Sequence, residues 1–440
     1  MDEVEPRYRL GPLERRGTVA GWRAGQVGLV AASCTLAGLV VACSTAGPAL
    51  LLAVVLVGGG VLGATLPVAG RPCDEWLPSL LAHLRRRGPR RLVCVDVDAV
   101  ASPAGEVGVI RHRSGALSCI LGLDSTGISL LDAATRSRRV DGMAAALGAL
   151  AREGSAIDRV GWTASARRLA TAEVLGDLRR RGELGTPAAA SYRALLEAVA
   201  PVALERQVLL ALRTGPGRGA ADEGARASGL VDEAANVVQA LSDAGHRRAV
   251  MLDAAAVIAE LERRHGMAGP DGRVVLDAEA RFDELVLGAR RATAFWVAEW
   301  PRHDVTAELL APLLLADERR TVSVVMEPVR PSAALRRAAT AKTSQVADAE
   351  LRRRAGFLQD RSQQRRGAHV AEREAELVDG HASLRVAGFV TVEVGEEDDL
   401  DAAVAETELA AAQARLVLRR LQGDHGRGVA AALPLCGGLP

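Results

Sequence analysis

The feature that most constrains this chain is an uncharged segment of 47 residues, Ala24–Gly70, which contains no Asp, Glu, Lys or Arg. It is interrupted only by the helix-breaking pair Gly47-Pro48. A helix of about 20 apolar residues crosses the hydrocarbon core of a bilayer, which is about 30 Å thick. Ala24–Ala46 and Ala49–Ala69 are each that long. The sequence therefore predicts a transmembrane hairpin of two helices joined by a tight turn.

Two other interpretations of this segment were weighed. A buried helical hairpin in a soluble protein would rarely stay uncharged for so long, because most soluble helices have one wet face. A cleaved signal peptide is shorter and is not followed at once by a second apolar span. The membrane interpretation therefore comes first.

Arginines flank the apolar segment on both sides, whereas the turn inside it carries no charge. Basic residues near span ends stay on the cytoplasmic side of the membrane. The sequence thus predicts a multi-pass protein of the plasma (inner) membrane, with both termini and the bulk of the chain in the cytoplasm. The flanking residues are Arg7, Arg9, Arg15, Arg16 and Arg23 before the segment, and Arg71, Arg85, Arg86, Arg87, Arg90 and Arg91 after it.

The second group of these arginines also offers a candidate contact with anionic lipid head groups. An ordinary cytoplasmic flank, without specific lipid binding, is the favoured interpretation. The candidate lipid-contact residues are Arg85, Arg86, Arg87, Arg90 and Arg91.

The remainder of the chain predicts an α+β fold class. Strand and helix patterns from 92 to 290 occur in mixed order, which is typical of an α+β domain with a largely antiparallel sheet. They include a strand hairpin at 106–113 and 116–123 and a helix at 254–265. From 291 to 440 the order is β-α-β, a long insert, then β-α-β, which predicts a ferredoxin-like (split βαβ) domain with a helical insert. The predicted strands are 292–300, 320–329, 383–394 and 416–421, and the predicted helices between them are 306–316 and 398–415. The first domain could be a degenerate relative of the second, although the sequence contains no recognisable repeat. The predicted organisation is a cytoplasmic arm at 1–23, the hairpin at 24–70, a juxtamembrane basic segment at 71–91, and cytoplasmic domains at 92–290 and 291–440.

The insert at 331–381 predicts a projecting helical arm, of one helix or two, because it has few large apolar residues and no internal proline. Its charge is the main local signal: residues 330–369 carry ten basic and three acidic side chains, although the whole chain has a net charge of only +1. A solvated helix or docking to an acidic partner is favoured over binding of nucleic-acid phosphates. The candidate partner-binding residues are Arg352, Arg353, Arg354, Arg365 and Arg366.

No catalytic, cofactor or metal site is predicted. The single lysine, Lys342, has no glycine-rich turn before it, which excludes a P-loop ATPase. The adjacent pair His303-Asp304 cannot converge on one substrate, and Asp304 is better placed as a helix cap. Aromatic residues are 2% of the chain, too few for a stacking channel for single-stranded nucleic acid. The six cysteines have no zinc-ligand spacing. We therefore expect a protein that is not an enzyme.

The order of these parts resembles an actinobacterial integral-membrane family associated with conjugation or type IV secretion-like loci. It is also similar to the anchor and motorless amino-terminal region of VirB-type conjugation ATPases. The motifs that carry the resemblance, besides the hairpin, are Trp300-Pro301-Arg302, Arg373–Leu377, Gly388–Val392 and Leu433–Leu439.

The resemblance implies a non-catalytic inner-membrane component that anchors or scaffolds a partner motor ATPase. The implied partners are a VirB-type ATPase, other secretion-like membrane components and membrane lipid, in a homo- or hetero-oligomer. The alternative hypothesis is a membrane-tethered nucleic-acid-binding protein that uses the basic arm at 330–369.

Overall fold

The structure is a computed structural model that contains two parts of different character, an apolar helical hairpin and a closed sheet. It describes residues 24–43, 47–65, 80, 88–123, 131–168, 175–176, 179, 186–199, 204–217, 223–246, 249–301, 305–306, 308–315, 319–354, 371–372 and 374–437.

The hairpin consists of α1 (Ala24–Cys43) and α2 (Gly47–Thr65), both long and apolar enough to cross a bilayer. Only 6% and 11% of their span residues are buried, whereas a core helix of a soluble protein would be mostly buried. The helices pack closely where Gly60 faces Ser33, since a side chain at Gly60 would overlap the serine. The Gln26 side-chain amide donates a hydrogen bond of 2.7 Å to the carbonyl of Ala64 in the other helix. The two helices therefore form a packed pair with an apolar outer surface.

Thirteen strands and eight further helices are assigned in the described residues after the hairpin. The strands are β1 (Gly88–Ser102), β2 (Gly105–His112), β3 (Leu117–Leu123), β4 (Ile157–Arg168), β5 (Leu204–Thr214), β6 (Val250–Met251), β7 (Met267–Ala268), β8 (Arg273–Ala280), β9 (Leu285–Leu287), β10 (Arg290–Glu299), β11 (Arg319–Val329), β12 (Ser383–Gly395) and β13 (Val417–Arg420). The helices are α3 (Ala133–Ala149), α4 (Pro187–Val199), α5 (Glu223–Asp243), α6 (Ala254–Arg263), α7 (Ala311–Leu314), α8 (Pro331–Arg354), α9 (Leu400–Gln413) and α10 (His425–Ala432). Asp132, Asp253 and Asp399 cap α3, α6 and α9, because each carboxylate accepts backbone N–H groups of the first turn.

Ten of the strands close into an antiparallel barrel. Around the ring the order is β1-β2-β3-β5-β4-β11-β12-β10-β9-β8, and β8 pairs with β1 to complete it. The short strands β6, β7 and β13 add to β3, β8 and β10 outside this ring. Closure leaves the wall without a long unpaired edge, which removes the usual site of edge-to-edge aggregation.

The prediction of separate α+β domains ending in a ferredoxin-like domain is wrong. Its four predicted strands, β10 to β13, do lie next to each other in the order β11-β12-β10-β13. However, β11 pairs onward with β4, and β10 pairs onward with β9, so they form part of a closed wall rather than an independent sheet. The predicted helix at 306–316 is reduced to the four-residue α7. Strands from 92–290 and from 291–440 therefore belong to one barrel.

The barrel consists of two halves with the same topology. The first half contributes the wall β1-β2-β3-β5-β4, and the second contributes β8-β9-β10-β12-β11 in the corresponding order. In each half the last four strands along the chain alternate with helices. The final short strand pairs with the first of these four strands: β6 pairs with β3, and β13 pairs with β10. The halves join through two antiparallel seams, β4–β11 and β1–β8. This arrangement is a pseudo-twofold repeat that the sequence does not display.

The last helix of each half, α6 and α10, packs on the inner side of the wall. Val257 of α6 and Val429 of α10 belong to one cluster with inward-facing side chains such as Ile110 and Ile120. The outward-facing neighbours in the same strands pack instead against α3 and α5 in the first half, and against α7 and α9 in the second. Two helices therefore fill the centre of the barrel.

Candidate functional site

The barrel has two distinguishable ends, because neighbouring strands run in opposite directions. We call the end at which β1 begins the proximal end, since the chain reaches it from the hairpin through residues 66–87. By alternation around the ring, β11 ends there and β12 begins there. The opposite, distal end carries the loop after β12, whose acidic side chains Glu396, Glu397, Asp398 and Asp399 are exposed.

The basic arm starts at the proximal end with α8. Its first turn is fixed to the barrel, because the backbone N–H of Ser332 donates a 3.1 Å hydrogen bond to Glu153 and Ala334 is buried. After this turn, the described side chains of α8 are exposed or half-buried. An ion pair of 2.7 Å joins Lys342 to Glu374 in the returning segment, of which residues 374–378 are helical. The arm thus projects from the barrel and folds back on itself.

The predicted partner-binding arginines fall in two places. Arg352, Arg353 and Arg354 form the last turn of α8, about 27 Å along the helix from Ala334 at 1.5 Å per residue. Arg365 and Arg366 lie outside the described residues. The structure therefore places three of the five on the outer part of the arm.

The predicted lipid-contact arginines are divided in the same way. Arg85, Arg86 and Arg87 lie outside the described residues, whereas Arg90 and Arg91 are exposed residues of β1. Arg91 approaches Asp277 of β8 at 3.7 Å. These two arginines therefore belong to the barrel wall at its proximal end, and not to a separate juxtamembrane segment.

A cleft of about 450 Å³ opens on the outer wall next to Arg91. It lies where the first residues of β1, 88–94, extend past β2 and pair only with β8. Its lining residues are Arg91, Cys94, Asp96, Arg111, His112, Arg113, Gly115 and Arg273. The lining contains four arginines and one aspartate, and Asp98, Asp277 and Glu223 pair with these arginines from outside the lining.

Ion pairs hold two of the cleft arginines in place. Arg273 bonds Asp96 at 2.8 Å, and Arg111 bonds Asp98 at 2.6 Å. Arg113, in the turn after β2, is exposed and has no carboxylate partner among the described residues. The sequence analysis did not single out Arg111, Arg113 or Arg273. Arg111 and Arg113 stand two residues apart in a predicted strand, so the sequence indicates that they share one face of it. Arg273 belongs to a strand that the sequence analysis does not predict.

His112 lines the cleft without adding charge to it. Its Nε2 lies 2.8 Å from the hydroxyl of Ser118. The pKa of His112 is lowered from 6.5 to about 4, mainly by burial and also by the nearby Arg213 guanidinium, against the opposing effect of Asp158. The imidazole is therefore neutral at pH 7.

Two networks of charged side chains lie inside the barrel, one at each end. At the proximal end Arg213 makes a bidentate pair with Asp158 at 2.7 and 3.0 Å, and Glu327 binds both Arg159 and Arg385. At the distal end Glu260, which is 1% exposed, binds Gln207, Arg263 and Arg264. Such networks of mutually bonded groups stabilise a fold.

The remaining candidates for chemistry have no reactive arrangement in the described part of the chain. Burial raises the pKa of Cys119 and of Cys436 to about 12, so both thiols stay protonated and unreactive. No group of three metal-ligating side chains occurs among the described residues. His303 and Asp304 lie outside them.

The fold and these surfaces define a class of protein: a two-helix apolar hairpin joined to a duplicated, helix-filled antiparallel barrel with a basic arm. No protein-family model matches the sequence, and no curated protein is significantly similar to it.

Proposed function

We propose that this chain is a non-catalytic inner-membrane component of a conjugation or type IV secretion-like apparatus, in which it holds a partner motor ATPase next to the bilayer. The observation that carries the proposal is the common position of two features. The chain reaches the barrel from the apolar hairpin at the proximal end, and the basic arm leaves the barrel at the same end.

The hairpin supplies the anchor in this proposal. Attachment to the membrane through a pair of spanning helices is effectively irreversible, whereas attachment through surface contacts with lipid is reversible. With arginines on both flanks, the barrel and both termini lie in the cytoplasm. The sequence resemblance to a family associated with secretion-like loci supports the same placement.

The arm supplies the docking element. Residues 330–354 contain seven basic and two acidic side chains, and the exposed Arg336 and Arg337 have no ion-pair partner among the described residues. A basic, solvated helix of this kind steers an acidic surface of a partner toward itself. Because the arm starts at the proximal end, a partner bound there lies beside the membrane.

The test is a membrane-retention and capture experiment on the full-length chain. Membranes washed with high salt should retain the protein, and its capture should recover a motor ATPase encoded nearby. Replacing Arg352, Arg353 and Arg354 with Gln should weaken this capture. A control triple variant of barrel arginines, R138Q/R281Q/R427Q, should leave it unchanged. Release by salt, or capture that does not depend on the arm, would contradict the proposal.

A nucleic-acid-binding function is the second candidate, because the exposed basic arm stands out on a chain with almost no net charge. Such binding would weaken steeply with salt as phosphate counterions are released. A fluorescence-anisotropy titration of the full-length protein with duplex DNA at low and moderate salt distinguishes the nucleic-acid-binding function from the scaffold function. Binding that the arm variant abolishes would favour this candidate, and no binding at low salt would remove it.

A further inference from the structure

We propose that the cleft between β8, β1 and β2 binds a phosphate-ester anion, either the head group of an anionic phospholipid or a small soluble phosphate. This inference does not depend on the scaffold function, since it rests on the outer wall of the barrel and not on the arm.

The first argument is the fixed placement of two guanidinium groups. Asp98 holds Arg111 and Asp96 holds Arg273, each through one short ion pair. Glu223 also binds Arg111 from the side of α5. A guanidinium has five N–H donors in a rigid plane, so further donors of both side chains remain for a ligand. Planar donor pairs of this kind match the oxygens of a phosphate.

The second argument is the charge that remains after these pairs are formed. Asp96, Asp98 and Asp277 are engaged by Arg273, Arg111 and Arg91 respectively. Arg113 lines the same cleft with no carboxylate partner among the described residues. With Glu223 at Arg111, the four arginines face four carboxylates, so Arg113 is the one lining guanidinium in the described part of the chain that an anion can bind without displacing an existing pair.

The third argument is size and position. About 450 Å³ lies within the range of ordinary small-ligand sites, which is about 300–1,000 Å³, and exceeds what a phosphate group alone needs. The cleft lies beside Arg90 and Arg91, the first charged residues of the barrel after the segment that leads from the hairpin. A lipid head group at the membrane surface and a soluble phosphate can both approach this open wall.

The experiment uses the full-length chain in a neutral maltoside detergent. Binding is measured by titration with dioctanoyl-phosphatidylglycerol, dioctanoyl-phosphatidylcholine and inorganic phosphate. The test variants are R113Q and R273Q. The control is R281Q, which removes an exposed arginine that is likewise ion-paired, to Glu284 at 2.7 Å. We expect R113Q and R273Q each to weaken binding about threefold to tenfold, as is usual for one partly exposed charged contact.

The three probes separate the two sources of the anion. Binding of phosphatidylglycerol without inorganic phosphate supports a lipid head group, and binding of both supports a small soluble phosphate. Binding of neither overturns the proposal. It is also overturned if phosphatidylcholine binds as tightly as phosphatidylglycerol, or if R113Q and R273Q bind like R281Q.

Discussion

Thr163 of β4 and Ser323 of β11 face each other across one of the two seams, with their hydroxyl oxygens 3.5 Å apart and both residues fully buried. The two strands occupy corresponding positions in the two halves of the barrel, so this contact lies close to the pseudo-twofold axis. Ser323 also donates a 2.8 Å hydrogen bond to the carbonyl of Ala431 in α10. One small hydroxyl thus links both halves to a central helix.

We expect Ser323→Ala to lower the free energy of unfolding by about 1 kcal/mol, because it leaves a buried carbonyl without its donor. Denaturant unfolding of the full-length protein in detergent measures this. Thr340→Ala, which removes an exposed hydroxyl of the arm, is the control and should have little effect. Equal stability of the two variants would mean that the seam contact contributes nothing.

The central helices approach the wall through glycines, which predicts intolerance of even one methyl group. A Cβ at Gly428 of α10 would overlap Ala294, and one at Gly108 of β2 would lie 2.8 Å from the carbonyl oxygen of Asp253. Gly428→Ala and Gly108→Ala should each destabilise the barrel by about 1–3 kcal/mol or more. Gly224→Ala is the matched control, since nothing lies within 4 Å of its Cβ and alanine suits a helix better. In thermal unfolding, the melting temperature of the control should equal or exceed that of the parent protein.

Glu260 is the buried centre of the distal network, with contacts to Arg264 at 2.7 Å and to Gln207 at 2.9 Å. Its removal leaves a mostly buried guanidinium without its carboxylate. We therefore expect Glu260→Ala to cost about 3 kcal/mol of unfolding free energy. Glu262→Ala, two residues away and exposed, should change it by less than about 0.5 kcal/mol. A small loss in the first variant would show that water replaces the network.

The low pKa of His112 makes the barrel sensitive to acid. As pH falls through 6.5 the unfolded chain takes up a proton at this imidazole, whereas the folded chain does so only near pH 4. The contribution of His112 to the free energy of unfolding is therefore fully present above pH 6.5. It is lost as the pH falls from 6.5 to 4, and the loss amounts to up to about 3 kcal/mol. His112→Gln should reduce the difference in unfolding free energy between pH 7 and pH 4.5. An equal difference in His112→Gln and in the parent protein would contradict this.

The packing of α1 against α2 depends on Gly60, which faces Ser33 so closely that a larger side chain would separate the two helices. Cysteines placed at Gln26 and Ala64, in a background with Cys34 and Cys43 changed to Ala, should cross-link readily, because the side chain of Gln26 contacts the backbone of Ala64. Gly60→Val should slow this cross-linking at least threefold. Gly59→Val is the control, because nothing lies within 4 Å of its Cβ. Equal rates in both variants would contradict the observed packing.

The sequence predicted local elements better than the way they assemble. The predicted hairpin strands 106–113 and 116–123 correspond closely to β2 and β3, and the helix predicted to begin at Ala254 is α6. Barrel closure was missed because it depends on pairs far apart in the chain, such as Gly88 with Ala280. The closing strand β8 was overlooked although Val274, Leu276 and Ala278 alternate inward along it, which is the period-two signal of a strand.

The candidate site was harder to predict than the fold. The arm was recognised from its charge, which is a property of one continuous segment. The cleft combines Arg91, Arg111, Arg113 and Arg273 from three stretches of chain, and only the register of β1 against β2 and β8 brings them together. α10 was also missed, because His425–Ala432 contains two glycines and is too short to show a helical pattern.

The duplicated wall has a consequence for how this protein can be divided. A chain cut between α6 and β7 would release two fragments with four bare strand edges in all, on β1, β4, β8 and β11. Those edges match each other, so the fragments should reassociate or form swapped dimers sooner than remain apart.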